Sequence, residues 1–112
     1  MPTNFADWVV AQMGGLGVVE QRPLFGGVGL FRESEMFALV VQERLYFRAD
    51  KETRFLFEHR GLPRYVYKQG GVSFSLDYFQ APAEVFLSQA EMLVWSERAL
   101  RSAYRSHSSL VA

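Results

Sequence analysis

Apolar residues recur at helical spacing near both ends of the chain, which predicts an amphipathic helix in each place. The first helix follows Asn4, a residue type that favours the N-cap position, and ends at Gly14-Gly15. The last helix is predicted to begin near Glu84 or Ser88 and to run to Ser106. Its apolar stripe consists of Met92, Trp95, Ala99, Leu100, Ala103 and Tyr104.

Five segments between these helices show the short apolar runs or the period-two alternation of β-strands. They cover residues 24–32, 36–41, 44–49, 64–69 and 72–79. Gly70-Gly71 is predicted to join the last two as a two-residue hairpin of the primed type, which needs positive φ. These segments predict an antiparallel meander of three strands and a separate hairpin.

A third helix is predicted for residues 51–60, with Asp50 as its N-cap, Gly61 at its C′ position and Pro63 beyond. The resulting order, α-β-β-β-α-β-β-α, predicts a two-layer α+β domain. Its five-stranded sheet is mainly antiparallel and carries the helices on one face. We expect the other face to stay open or to meet a partner.

Composition narrows the class of protein. The 112 residues suit one domain (1–112, ordered core about 4–106), and the formal net charge is zero, so a globally basic nucleic-acid binder is excluded. The absence of cysteine removes disulfides, thiolate nucleophiles and cysteine-based zinc sites, and it fits a reducing cytoplasm. No signal peptide or membrane span is predicted, because the longest apolar run, residues 36–41, is far shorter than the roughly 20 residues that a span needs.

Candidate chemistry is sparse. The glycine-rich segment at residues 25–29 leads into a strand rather than a helix, so its spacing does not support a phosphate-binding loop. His59 and His107 do not stand at metal-ligand spacing, and no serine lies in a nucleophile motif. Asp77, on the polar face of a strand, is the best isolated carboxylate. We therefore predict no catalytic, cofactor or metal site, with a small-ligand or enzymatic domain around Asp77 as an alternative.

Basic residues form two pairs on the predicted strands. Arg44 and Arg48 share a strand face with Tyr46, and Arg64 and Lys68 share a face of another strand. If both faces lie on the helix-free side, these residues form one basic and aromatic patch that could contact nucleic acid. The alternative interpretation is that they keep an exposed sheet soluble.

An ordered series of motifs resembles the amino-terminal domain of the TfoX/Sxy family of competence regulators. The pattern Phe-Gly-Gly-x-Gly at residues 25–29 is followed by further matching segments, and the resemblance covers about residues 5–105. The residues that carry it are Phe25, Gly26, Gly27, Gly29, Met36, Phe37, Leu45, Tyr46, Tyr78 and Trp95. The sequence departs from the family at Gln42-Glu43, where a glycine turn is common, and at Phe79, where a second tyrosine is common.

The resemblance implies the same element order and a non-enzymatic regulatory role in the bacterial cytoplasm. Longer family members are transcriptional co-regulators that act with a cyclic-AMP receptor protein and carry a carboxy-terminal helical domain, which we do not expect in this chain. We therefore expect a module that binds a protein partner, such as a component of the transcription machinery, through a sheet face or edge. The candidate edges are residues 24–32 and 64–69, and a homodimer is a further expectation.

Overall fold

The computed structural model describes the backbone of residues 4–111 and the side chains of residues 4–106. Within this part of the chain, three α-helices and six β-strands follow one another. They are α1 (Phe5–Gln12), β1 (Glu20–Leu24), β2 (Gly27–Arg32), β3 (Glu35–Val41), β4 (Arg44–Arg48), α2 (Arg54–Glu58), β5 (Arg64–Gln69), β6 (Val72–Gln80) and α3 (Gln89–Val111). Short 3₁₀ helices at Gly14–Leu16 and Ala83–Phe86 precede β1 and α3. None of the described helices is long and apolar enough to cross a membrane.

The six strands form one sheet in the order β1-β2-β3-β4-β6-β5, with every neighbouring pair antiparallel. The α+β class and the antiparallel sheet are confirmed, but the sheet has six strands instead of five. The segment predicted as one strand, residues 24–32, is interrupted at Phe25-Gly26, and the preceding residues pair as β1. Strand β1 escaped prediction because it is an edge strand that is exposed on nearly every residue, so it shows no apolar alternation.

Two-residue turns with left-handed backbone close the four hairpins. Their φ angles are 52° and 80° at Phe25-Gly26, 50° and 71° at Glu33-Ser34, 50° and 58° at Gln42-Glu43, and 58° and 79° at Gly70-Gly71. Positive φ at both positions is the mark of the type I′ turn, whose twist matches that of the flanking strands. The turn predicted at Gly70-Gly71 is confirmed.

The main core lies between the helices and one face of the sheet. Its largest fully buried side chains include Phe37, Phe47, Phe57 and Met92. A bulge in the pairing of β2 with β3 makes Phe37 an extra residue, since Leu30 pairs with Ala38 while Phe31 pairs with Met36. Both Phe37 and Ala38 therefore belong to the main core, which explains why β3 is apolar on both parities. Each buried phenylalanine contributes about 1.5–3 kcal/mol through area removed from water.

A second, smaller core covers much of the helix-free face, for which the sequence predicts an open surface or a partner contact. Leu39, Tyr46 and Tyr78 are buried there. The hydroxyl of Tyr65, on β5, donates a 2.6 Å hydrogen bond to the carbonyl oxygen of Phe25 in the first turn. The sheet therefore curls so far that the turn between β1 and β2 contacts β5, the strand at the opposite edge. Burial raises the pKa of Tyr78 to about 12, and its hydroxyl donates to the Met36 carbonyl oxygen at 3.0 Å.

Helix α2 is shorter than the predicted residues 51–60. The N-cap of the observed helix is Thr53, so the prediction of Asp50 at that position is wrong. Asp50 instead caps the preceding turn, because its Oδ1 accepts hydrogen bonds from the backbone N–H groups of Glu52 and Thr53. Thr53 Oγ1 in turn accepts a hydrogen bond from the Asp50 N–H. These reciprocal bonds hold residues 51–53 as turns, and the regular helix begins at Arg54. Gly61 has φ +67°, and the Leu62 N–H reaches the Phe57 carbonyl oxygen, so the predicted glycine stop is confirmed.

Gly27→Val is expected to destabilise the fold by about 1–3 kcal/mol, the usual cost of overpacking. A Cβ at Gly27 would collide with the Val40 carbonyl oxygen in the neighbouring strand, which is backbone and cannot move aside. Urea unfolding followed by circular dichroism measures the change. Gly14→Ala is the matched control, since a Cβ there meets nothing within 4 Å; equal midpoints for the two variants would contradict the close approach.

The double substitution Gln42→Asn and Glu43→Gly is expected to stabilise the protein by about 1 kcal/mol, because both native residues occupy the left-handed region at φ 50° and 58°. Asn-Gly is the dipeptide that type I′ turns favour most. Thermal unfolding should show a higher midpoint. Glu97→Gly, on an exposed position of α3, is the control and should lower the midpoint by a similar amount; a lower midpoint for the turn variant would refute the argument.

Candidate interaction surface

The β5–β6 hairpin projects beyond the rest of the sheet. Strand β4 pairs with β6 only at Tyr78, Phe79 and Gln80, whereas β6 begins at Val72. The far half of the hairpin, residues 66–75, is therefore a two-stranded ribbon, called here the distal ribbon. In the described chain, no strand pairs with either outer side of this ribbon.

Apolar side chains on the distal ribbon are unusually exposed. The exposed fractions are 44% for Val66, 53% for Val72 and 48% for Phe74. Lys68 is the only charged residue of the ribbon. An exposed, apolar, weakly charged pair of strands is the type of surface that proteins use to bind partners or further strands.

The two edges of the sheet differ in how well they are protected. Edge strand β1 contains Pro23, which has no N–H to offer, and an Arg22–Glu20 ion pair of 3.1 Å. Edge strand β5 contains no proline between Arg64 and Gln69. The prediction that residues 64–69 form an edge is confirmed, while the prediction for residues 24–32 is wrong for β2, which lies between β1 and β3.

The four basic residues proposed for nucleic acid do not form one patch. Arg48 pairs with Tyr78 and Arg64 pairs with Phe79. Because consecutive residues of a strand point to opposite faces, Arg48 and Arg64 lie on opposite sides of the sheet. Arg44 shares the face of Arg48, and Lys68 shares that of Arg64, so the condition for a joint basic patch is not met.

Asp77, the candidate carboxylate, is held by two guanidinium groups. Arg54 donates from Nε and Nη2 to its two oxygens at 3.1 and 3.0 Å, and Arg64 Nη2 donates at 2.8 Å. Burial raises the pKa of Asp77, but the hydrogen bonds and charges of Arg54 and Arg64 outweigh burial and hold the pKa below its usual value. The carboxylate stays ionised and joins α2 to the hairpin; it is not poised to exchange a proton.

The other candidate residues, the glycine segment and the histidines, are not brought together into one site among the described residues. A cleft of about 290 Å³ is lined by Gly15, Leu16, Arg32, Glu97, Leu100, Arg101 and Tyr104, none of them from the glycine segment. His59 packs edge-on against Phe55 at 6.3 Å between ring centroids, and the His107 side chain lies outside the described residues. The described residues hold no group of three or more potential metal ligands.

The residues of the family resemblance lie mainly inside the fold. Trp95, Phe37 and Leu45 are buried in the main core, and Tyr46 and Tyr78 form the second core. The glycines and Phe25 shape the first hairpin: a Cβ at Gly29 would come within 2.9 Å of the Phe31 ring, and the Phe25 ring packs on Tyr67 at 5.6 Å. Most of these residues therefore shape the fold.

The exposed apolar residues of the distal ribbon, Val66, Val72 and Phe74, were not singled out by sequence reasoning. The signal was present, since the apolar alternation of β6 continues through Val72 and Phe74 for nine residues while β4 spans five. A long strand beside a short one must leave part of its length without a neighbour. The mismatch becomes informative only when β4 is known to pair with β6.

The six-stranded sheet, its helical layer and its uncovered hairpin define a small two-layer α+β domain with an unpaired edge strand. The TfoX N-terminal domain family matches residues 11–103. The chain belongs to this family.

Two curated relatives show the same likeness. DNA transformation protein TfoX1 of Aliivibrio fischeri (strain ATCC 700601 / ES114) is 41% identical over 64 residues, which cover 57% of this chain and 31% of the relative. Protein Sxy of Escherichia coli (strain K12) is 28% identical over 95 residues, covering 84% of this chain and 45% of the relative. The matched region therefore spans less than half of each relative.

Asp77→Asn is expected to lower the free energy of unfolding at pH 7 by about 2 kcal/mol, since hydrogen bonds to a charged group are lost. A carboxyl whose pKa is depressed in the folded state stabilises it above the unfolded pKa, and this contribution disappears as pH falls towards the folded pKa. Below about pH 4 the wild type and variant should therefore converge. Urea unfolding at pH 7 and at pH 3 tests this; a difference that does not shrink in acid would show that Asp77 acts other than by its charge.

Proposed function

We propose that this chain is a cytoplasmic, non-enzymatic regulatory domain, with residues 4–106 as one unit, and that it binds a protein of the transcription machinery through the distal ribbon. The observation that carries the proposal is the apolar exposure of this ribbon in a domain of the TfoX family. The name of one relative, a DNA transformation protein, supports a role in control of DNA uptake.

Electrostatics favours a protein partner over nucleic acid. The formal net charge is zero, and the basic residues of the two sheet faces point apart. Arg64 is already engaged by Asp77 at 2.8 Å. Binding to a phosphate backbone depends on several cations that act together on one surface, and the four candidate residues, Arg44, Arg48, Arg64 and Lys68, do not form such a group.

The free energy available from covering the exposed apolar side chains indicates which further contacts a partner of the ribbon needs. Val66, Val72 and Phe74 are each about half exposed, so covering each one gains about 1 kcal/mol. Val66 pairs with Ser75 and therefore lies on the opposite face of the ribbon from Val72 and Phe74. A partner on one face covers at most two of these side chains, which falls well short of the roughly 8 kcal/mol of a micromolar complex. A partner must therefore also use the backbone groups on the ribbon's free edges, or contact surface beyond it.

The double variant Val72→Thr with Phe74→Ser is expected to lose the transcription protein that the wild-type domain captures from native cell extract. The domain is used as bait, and the recovered proteins are identified by mass spectrometry. Both substitutions are at exposed positions, so the fold should persist, as circular dichroism can verify.

The matched control is Val18→Thr with Leu87→Ser, which removes exposed apolar surface elsewhere, at residues 81% and 85% exposed. This control should keep the partner. Recovery of no transcription protein, or equal recovery by both double variants, would reject the ribbon as the binding surface. If the purified wild-type domain, without any partner protein, shifts the mobility of DNA at low salt, the binding role belongs to nucleic acid instead.

A further inference from the structure

The outer edge of β5 presents backbone groups at alternate residues. In a two-residue hairpin the residues flanking the turn, Gln69 and Val72, exchange both backbone hydrogen bonds. The pattern then alternates along the ladder, so Tyr67 also faces β6, while Val66 and Lys68 direct their N–H and C=O groups outward. These outward groups are where an added strand would pair.

A strand can pair antiparallel with a copy of itself about a twofold axis. Outward groups must meet outward groups, so the axis must pass through a residue. An axis at Gln69 would set Lys68 against Gly70 of the copy, which lies in the turn. The axes that keep the pairing on the strand part of the ribbon are therefore Val66, Tyr67 and Lys68, and these three are compared. An axis at Val66 sets Arg64 opposite Lys68 of the copy, and an axis at Lys68 sets the two lysines opposite each other. Like charges directly opposite are destabilising, so only the axis at Tyr67 avoids them, with Lys68 opposite Val66 of the copy.

The side chains in this register complement themselves. Tyr67 pairs with Phe74 across the hairpin, with 6.5 Å between ring centroids. Two copies joined at Tyr67 would therefore align Phe74, Tyr67 and the same two residues of the copy as one row of four aromatic rings. The Phe25 ring, 5.6 Å from Tyr67, already restricts Tyr67 in the free domain, which lowers the entropy lost on pairing.

We propose that β5 pairs antiparallel with β5 of a second copy of this chain, centred on Tyr67, so that two six-stranded sheets become one continuous sheet. The inference rests on the proposed function in taking the distal ribbon as an interaction surface, and it names the first occupant of that surface. The opposite edge is not equivalent, because Pro23 interrupts the N–H groups of β1.

Site-directed crosslinking tests the register, because the natural chain contains no cysteine. In Tyr67→Cys the two thiols would sit at a non-hydrogen-bonded pair on the axis. Cα atoms there lie about 4.5 Å apart, within the range that a disulfide spans. Mild oxidation of the purified protein should give a covalent dimer, which non-reducing electrophoresis detects.

Two control variants locate the axis. Gln69→Cys places its thiols four residues apart along the strands, about 13 Å, and should stay monomeric. Arg22→Cys, on the β1 edge, should also stay monomeric. Equal crosslinking of all three variants would mean random collision, and no crosslink in Tyr67→Cys would overturn the register.

Association of the wild type is measured by sedimentation equilibrium from about 10 μM to about 1 mM, the range in which a small interface associates. Lys68→Pro removes an outward N–H and leaves the pairing with β6 intact, so its dimer should be about tenfold weaker or more, because the twofold loses two hydrogen bonds. Lys68→Gln, which keeps the N–H, should dimerise at least as well as the wild type.

The two proposals fail separately. A wild type that stays monomeric throughout this range, with no Tyr67→Cys crosslink, rejects the homodimer even if the ribbon still captures a transcription protein from extract. A dimer that crosslinks at Tyr67 while extract yields no such protein supports the homodimer and counts against the proposed partner.

Discussion

Each of the four hairpins in this domain is closed by two residues in the left-handed region of the backbone, which L-residues enter only at a cost. The primed turns twist the strands strongly, and short connections leave the sheet no freedom to flatten. The twist brings the first turn across the helix-free face until the Phe25 carbonyl oxygen accepts a hydrogen bond from Tyr65. The local turns therefore favour the curvature, and the long-range contact of Tyr65 with Phe25 completes it.

That curvature explains why the family motif is structural. Gly27 approaches the backbone of Val40 too closely for any side chain, and Gly26 lies against Tyr67 with φ +80°. Because glycine has no side chain, tyrosines from β4, β5 and β6 can fill the concave face as a second core. The glycine motif thus helps to determine which residues of the helix-free face are buried in the second core.

The sequence predicts most elements because their signals are local. Asn4 caps α1 through Asp7 N–H, and Gly61 stops α2 with φ +67°. Strand β1 and the curl of the sheet are not local: β1 has no buried face to impose alternation, and the curl depends on contacts forty residues apart, such as Tyr65 to Phe25. The edge at residues 64–69 was predicted, but the exposed apolar side chains of the ribbon were missed for the same reason, since their exposure depends on which strand pairs with β6.

The distal ribbon exists because β4 pairs with only the last residues of β6 and leaves the rest of the hairpin without a neighbouring strand. A two-stranded ribbon alone is marginally stable in water, and here its base is fixed by the Tyr65 hydrogen bond and by Asp77, clamped between Arg54 and Arg64. The base is anchored by these contacts, while Val66, Val72 and Phe74 remain half exposed. An anchored base reduces the entropy that a partner must overcome, and the exposed apolar surface supplies part of the driving force. The partly exposed ion pairs of Asp77 thus anchor the base of the ribbon whose apolar side chains we propose as the binding surface.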